Sequence, residues 1–298
     1  MIDILLKDIL KELNINRIVE TGTDKAETIA ETSRWFAAMD PEFGTIERQL
    51  KTEARSYRSW SVPIIYPIFS QARPSRYQIH SVDIDQYSYE SAKKIFHSNP
   101  NIHLYHSSSE KFLTSLLNRE IDRNRVDHNY LFFLDAHWGE YWPLRDELKI
   151  ICKLRKYIIV IDDFMVPGKS NPSFPNGFFG FDIYKGQILN WSYICDLFTA
   201  VQVKIFYPSQ PNRDHRGWVL ITHGYSESEL AFLKTLALFE INQFDKSHTL
   251  AVKPTWRSSC NARNILKQLV PISLLRSLYR GYEKIIYHFG CFFMPHKI

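Results

Sequence analysis

The sequence has no CxxC pair, and its four cysteines, Cys152, Cys195, Cys260 and Cys291, stand too far apart and too few for a small secreted scaffold stapled by disulfides. A reducing compartment fits that usage, and the cytoplasm is the expected location. No run is long and apolar enough to span a bilayer. The N-terminal stretch lacks the basic start and unbroken apolar run of a signal peptide, since Asp3, Asp8 and Glu12 interrupt it. Its Ile2, Leu5, Leu6, Ile9, Leu10 and Leu13 read instead as one face of an amphipathic helix. There is no internal repeat, no low-complexity tract, and neither a basic groove nor a recognition module for nucleic acid. With 45% apolar and 23% charged residues, disorder is excluded too.

What is present is a chain of 298 residues, enough for one large domain with appendages. Its net charge of +5 is unevenly placed. From residue 251 onward eight basic residues (Lys253, Arg257, Arg263, Lys267, Arg276, Arg280, Lys284, Lys297) face one acid, Glu283, a net of +7 that leaves −2 for the first 250 residues. Residues 1–250 therefore form the expected domain and 251–298 a basic tail.

Within the domain, apolar runs alternate with helix-length segments. Arg17 to Glu20 reads as a strand followed by a tight turn at Thr21-Gly22-Thr23 and a helix from Asp24. Further strands are expected at Tyr77–Asp83, Ile102–Tyr105, Tyr130–Asp135 and Tyr157–Asp162. The last two are continuously apolar, as strands covered on both faces are. Two more, near Val201–Tyr207 and Arg216–Thr222, are joined too closely for a crossover helix and must pair antiparallel. The pattern predicts an α/β fold, a doubly wound, mostly parallel seven-stranded sheet with an antiparallel final hairpin. Acids close the first, second, fourth and fifth strands, and in such sheets the ligand sits beyond the carboxyl ends. Residues 37–76 interrupt the repeat with aromatics, Arg55, Arg58 and four prolines, as a lid over the crevice or as a solvated insertion.

The first turn is the place to seek a cofactor, because glycine lets backbone approach a ligand closely. A dinucleotide fingerprint is missing there: Ala26 and Glu27 stand where glycines would meet a pyrophosphate, which counts against an NAD-dependent enzyme. Asp83 can accept hydrogen bonds from both hydroxyls of a ribose, or be a solvated acid opening the next helix, a place Asp85 also suits.

The blocks Val19-Glu20-Thr21-Gly22-Thr23, Val82-Asp83-Ile84-Asp85, His106-Ser107-Ser108-Ser109-Glu110, Leu134-Asp135-Ala136-His137-Trp138-Gly139 and Ile161-Asp162-Asp163-Phe164 occur in an order that resembles bacterial class I S-adenosylmethionine (SAM)-dependent methyltransferases. The Leu-Asp-Ala-His-Trp block, followed by Pro143-Leu144 and Glu147-Leu148, is the most specific part. The resemblance implies a Rossmann-like methyltransferase fold, with Glu20 and Gly22 beside the methionine part of SAM, Asp83 on its ribose, Ser108 near its adenine, and Thr23 and Asp135 also at the cofactor. The sequence departs from that pattern at Ala26, where a glycine is missing, and in the long insertion.

Asp135, Asp162 and Asp163 bring three carboxylates to neighbouring strand ends, where they repel unless a cation intervenes. Hard oxygen ligands suit Mg²⁺, and the pattern is similar to that of metal-dependent sugar and catechol O-methyltransferases. The other reading has Asp163 capping the next turn and Asp162 meeting an arginine. His137 lies two residues past Asp135, on the same face of an extended chain, so it can serve as general base or as a hydrogen-bonded wall. Trp138, Tyr141, Trp142, Phe174, Phe178 and Phe179 surround these acids in sequence, and the Pro- and Gly-rich stretch from Val166 to Gly177 reads as a rim of the crevice. In the tail, Ile272, Leu275, Leu278, Tyr282, Ile285, Ile286 and Phe289 recur at helical spacing beside Arg276, Arg280 and Lys284. A basic amphipathic helix of this kind can lie on the anionic inner face of a membrane, or dock on its own domain or on a second copy in a homo-oligomer. The expectation is therefore O-methylation of a hydroxylated small molecule or glycan, with a catalytically silent SAM-fold or nucleotide-sugar-binding module and an NAD-dependent enzyme as rivals.

Overall fold

The computed structural model describes residues 4–24, 26–43, 45–49, 66–70, 73–122, 129–137, 141–167, 180–184, 186–209 and 216–241. Contacts divide the chain into two compact units. The first comprises Met1–His137 and Trp142–Leu250; the second comprises Trp138–Tyr141 and Ala251–Ile298, of which Tyr141 alone is described, with its ring exposed. The tail helix anticipated beyond Pro271 lies outside the described residues.

The first unit is built on one twisted sheet. In chain order its strands are β1 (Arg17–Thr21), β4 (Gln78–Asp83), β5 (Ile102–His106), β6 (Tyr130–Leu134), β7 (Tyr157–Asp162), β10 (Lys204–Pro208), β11 (Trp218–His223) and β12 (Leu238–Ile241). Across the sheet they lie in the order β12-β10-β11-β7-β6-β1-β4-β5. The five strands from β5 to β7 are mutually parallel; β11 pairs antiparallel with β7, β10 with β11, and β12 with β10. The expected parallel body and final hairpin are there, but the strand count is eight rather than seven. The extra strand, β12, is four residues long with Glu240 inside it, too short and mixed to announce itself in sequence.

The helices sort onto both faces, and strand alternation explains how. In β6, Leu131 and Phe133 point into one core, shared with Ile9 and Leu10 of α1 (Ile4–Glu12), Ile29 and Phe36 of α2 (Glu27–Met39) and Phe96 of α3 (Gln86–Phe96). Phe132 and Leu134 point into the other, with Phe112 and Leu113 of α4 (Ser109–Asp122), Leu148 and Ile151 of α5 (Leu144–Ile151), and Ile194 of α6 (Trp191–Ile194). Leu6, Ile9, Leu10 and Leu13 are buried as the amphipathic reading requires, each such side chain contributing about 1.5–3 kcal/mol on leaving water. A last short helix, α7 (Glu227–Leu230), opens on a capping box of Ser226 and Glu229.

The insertion begins later than expected, because α2 continues to Met39. Beyond it, β2 (Thr45–Gln49) and β3 (Tyr66–Ser70) pair as an antiparallel ribbon, and the segment anticipated as a lid falls largely outside the described residues. The root of the insertion is pinned to the turn before β5, where Asn99 Nδ2 donates to the Phe43 carbonyl at 2.9 Å. A further small ribbon is formed by β8 (Ile183–Tyr184) and β9 (Gln187–Ile188).

Candidate functional site

The chain moves outward from β1 to β4 and β5, then returns to place β6 on β1's other side. At such a switch point the carboxyl ends of neighbouring strands part and leave a crevice. Gly22 occupies that point with φ +86°. Its N–H donates to Val82 on β4 at 3.0 Å, while the Asp135 N–H after β6 donates to Thr21 at 3.0 Å, so the turn is stitched to both neighbours of β1. A Cβ built on Gly22 would stand 2.8 Å from the Asp135 carbonyl oxygen, so handedness and close approach both demand glycine. Ala26, where the sequence lacks a glycine, nevertheless adopts φ +58°. The left-handed backbone is kept without the residue that favours it, at a cost of about 1–2 kcal/mol.

On the β1–β4 side, two buried carboxylates are held by the chain itself. Glu20, 1% exposed, sits opposite Ser81 in the strand register. The Ser81 hydroxyl donates to Glu20 Oε2 and lies 2.7 Å from Thr23 Oγ1. Burial pushes the Glu20 pKa up to about 7, the hydroxyls of Ser81 and Thr28 pull it down, and the charge of Asp83 adds to the rise. Asp83, 4% exposed, closes β4. Its Oδ1 accepts the Asp85 N–H at 2.7 Å and its Oδ2 the Asp24 N–H at 3.0 Å. Burial raises its pKa against these bonds. Opening α3 falls to Asp85, which accepts from the N–H groups of Tyr87 and Ser88, so Asp83 is neither solvated nor a cap. Thr23, expected at the cofactor, spends its hydroxyl on Ser81. Ser108 stands just before α4, where its buried hydroxyl has no hydrogen-bond partner.

The β6–β7 side is different. A small cavity, about 10 Å³ of room for the centre of a water, is lined by Asp135, His137, Trp142, Glu147, Asp162, Asp163 and Asp182 together with apolar side chains. Asp135 is pushed well above the ordinary carboxylate range by burial first, then by the charges of Asp162, Asp163, Glu20 and Asp182. Asp163 rises to about 7 through burial and Asp162, with Arg216 acting against the rise. Arg216 grips Asp163 through Nε and Asp182 through Nη2. Asp163, rather than Asp162, therefore meets the arginine. The three acids expected as metal ligands do not form a cage: among the described residues no three His, Cys, Asp or Glu side chains are arranged to hold an ion. The counter-charge on Asp163 is a guanidinium.

His137 Nδ1 lies 3.0 Å from the Asp135 carbonyl oxygen and 3.8 Å from its carboxylate. A carbonyl only accepts, so Nδ1 carries a proton, which leaves Nε2 as the ring nitrogen that can exchange one. Trp142 forms one wall and stacks on Tyr193 with ring centroids 5.0 Å apart. Trp138, Phe174, Phe178 and Phe179, and most of the expected rim, lie outside the described residues.

Sequence reasoning missed Ser81, Asp182 and Arg216. Ser81 was within reach, since it precedes Asp83 by two and must share its face. Asp182 and Arg216 carried no local signal, because each is brought to the crevice by a separate return of the chain. Glu147 was noted as part of a block and given no role.

No family model matches this chain, and no curated protein matches it. Among solved structures it is similar to the O-methyltransferase TomG from Streptomyces achromogenes, involved in tomaymycin synthesis and solved with SAM, at 11% identity over 74% of this chain and 79% of that one, with a TM-score of 0.39. It is also similar to the CMeT domain of citrinin polyketide synthase, at 10% identity over 71% of this chain and 47% of that one, TM-score 0.39. A third is protein LPL1258 from Legionella pneumophila, at 14% identity over 80% and 92%, TM-score 0.36. Likenesses of this size assign no activity.

Proposed function

We propose that the chain is a SAM-dependent methyltransferase acting on a hydroxyl of a small molecule or glycan. The observation that carries the reading is the junction at Gly22, where three adjacent strand ends set Glu20, Asp83 and Asp135 close enough for Asp83 to act on Glu20 and Glu20 on Asp135. The residues fit a nucleoside with a cationic arm. The Asp83 carboxylate accepts backbone N–H groups at both oxygens and, with about four lone-pair sites, keeps room for a ribose hydroxyl, and the unpartnered Ser108 hydroxyl is available to a base. Glu20 and Asp135, whose pKa values burial raises, return to their charged forms when a positive group approaches. A pyrophosphate would meet those same carboxylates and be repelled, which disfavours NAD.

When bound, SAM supplies a methyl group on a positively charged sulfur. The chain's own contribution is alignment of the reactants by rigid strand ends, and a base. His137, its Nδ1–H held by the Asp135 carbonyl, takes the proton of the acceptor hydroxyl at Nε2. That base is what a silent binding module would not need. The acceptor class follows the family resemblance alone. Calorimetric titration with S-adenosylhomocysteine and NAD side by side tests the reading: heat with the first, lost in Asp83→Ala, supports it, and heat with NAD alone overturns it.

A further inference from the structure

We propose that Ser81 is a positioning residue for the cofactor. It runs a chain of hydroxyls from Thr23 toward Glu20 only when that carboxylate is ionised, so a cationic arm bound at Glu20 expels a proton to solvent and sets which way the Thr23 hydroxyl faces. This rests on the methyltransferase reading above, in which the arm is the ammonium end of SAM.

Strand register puts the three residues together. Ile18 and Ile79, partners across β1 and β4, belong to the apolar core shared with α1, α2 and α3. Two residues further on, Glu20 and Ser81 take the same face and pair again, where a serine interrupts that core. The whole chain is shut away from water, with Ser81 at 0%, Glu20 at 1% and Thr23 at 4% exposure. The Ser81 hydroxyl donates to Glu20 Oε2 and lies 2.7 Å from Thr23 Oγ1. A hydroxyl has one proton to give. Once Ser81 gives its own to Glu20, the contact with Thr23 is made by the Thr23 proton, and Thr23 turns only lone pairs outward. With a proton on Oε2 both bonds reverse: the carboxyl donates to Ser81, Ser81 donates to Thr23, and Thr23 has a proton left to offer.

Thr23 presents that hydroxyl from a fixed backbone. The Gly22 N–H is held by the Val82 carbonyl at 3.0 Å, and the Thr23 carbonyl accepts the Ala26 N–H at 2.6 Å. The direction of the chain is decided by the charges around Glu20. Asp83 on β4 raises its pKa, Asp135 after β6 shares the repulsion, the Thr28 hydroxyl of α2 donates to it, and the charge at the chain's N-terminus opposes the acids. Burial outweighs the donors and leaves Glu20 at about 7, so both forms are populated near neutral pH and an arriving cation selects the ionised one.

The test is calorimetric titration of S-adenosylhomocysteine into the full chain at pH 6 and pH 8, in phosphate and in imidazole buffer, whose different heats of ionisation count the protons released. Release of about nine-tenths of a proton is expected at pH 6 and about one-tenth at pH 8. The nucleoside 5′-methylthioadenosine, which lacks the ammonium, is expected to bind without release. Ser81→Ala should move the midpoint of release upward by about one pH unit, because ionised Glu20 loses a donor. Ser81→Thr restores the hydroxyl and should bring the midpoint back. Heat from S-adenosylhomocysteine without proton release at pH 6 overturns the inference and leaves the methyltransferase reading standing, and the unmutated chain alone decides this. Release that Glu20→Gln leaves unchanged also overturns it, as does a midpoint that Ser81→Ala does not move, which would make Ser81 a packing residue. Absence of heat in both buffers removes the methyltransferase reading and the inference with it.

Discussion

The two sides of the crevice solve the same problem in opposite ways. On the β1–β4 side each buried carboxylate is matched by a donor from the chain: Ser81 for Glu20, the N–H groups of Asp24 and Asp85 for Asp83. On the β6–β7 side one arginine serves two acids, and Glu147 has beside it only the hydroxyls of Ser109 and Thr21. The first side is finished before any ligand arrives, and the second is left electrostatically open. Charge held by backbone and hydroxyls preorganises a site, whereas charge left to a single guanidinium makes its stability depend on that residue and on pH.

The largest expected break in this contrast is Arg216→Met. It leaves the part-buried Asp163 and Asp182 without their cation, so denaturant unfolding at pH 8 should show a loss of about 3–5 kcal/mol. The loss should shrink at pH 5, where Asp163 can protonate, and a pH-independent loss would mean that Arg216 acts through packing. Gly22→Ala comes next. A left-handed backbone and a methyl driven into the Asp135 carbonyl should together cost about 2–4 kcal/mol, with cofactor binding lost on both sides at once. Retention of full stability would show that the strand ends are not in contact.

Glu147→Gln sharpens the comparison through pH. The folded pKa of Glu147, about 7, lies above its ordinary value of 4.5, so the folded state holds a proton that the unfolded state has released. Stability from this group is complete below the unfolded value and is lost as pH rises through 7. The variant should therefore flatten the fall in melting temperature between pH 5 and 8, recovering about 2 kcal/mol at the upper end. The smallest effect is expected from Ala26→Gly, which relieves the left-handed alanine at the price of a floppier unfolded chain. A net gain of about 1 kcal/mol or less should appear as a small rise in melting temperature.

Most of the fold was legible because it is written in short, local signals. The continuous apolar runs at Tyr130–Leu134 and Tyr157–Asp162 have one physical reading, strands covered on both faces, and the acids that follow them mark the crevice. The eighth strand was hidden by its brevity. The site was legible in halves. Gly22, Glu20, Asp83, Asp135 and His137 are announced by their places beside strand ends. Asp182 and Arg216 are not, because their role is created by the antiparallel return of β11 beside β7, which no spacing encodes. The metal expectation misled for the same reason: three acids in sequence look short of a cation until an arginine from more than fifty residues away supplies it to one of them.

The position of β11 has a bearing on how the molecule is made. Although it is built after β10, it lies between β10 and β7, so β10 and β12 have no place in the sheet until β11 has been threaded beside β7. Arg216 sits at the mouth of that strand. A chain emerging from the ribosome carries its acidic mouth unneutralised until residue 216 is out, and arrest of synthesis just short of that point should yield a nascent chain that proteases cut readily at the ends of β6 and β7.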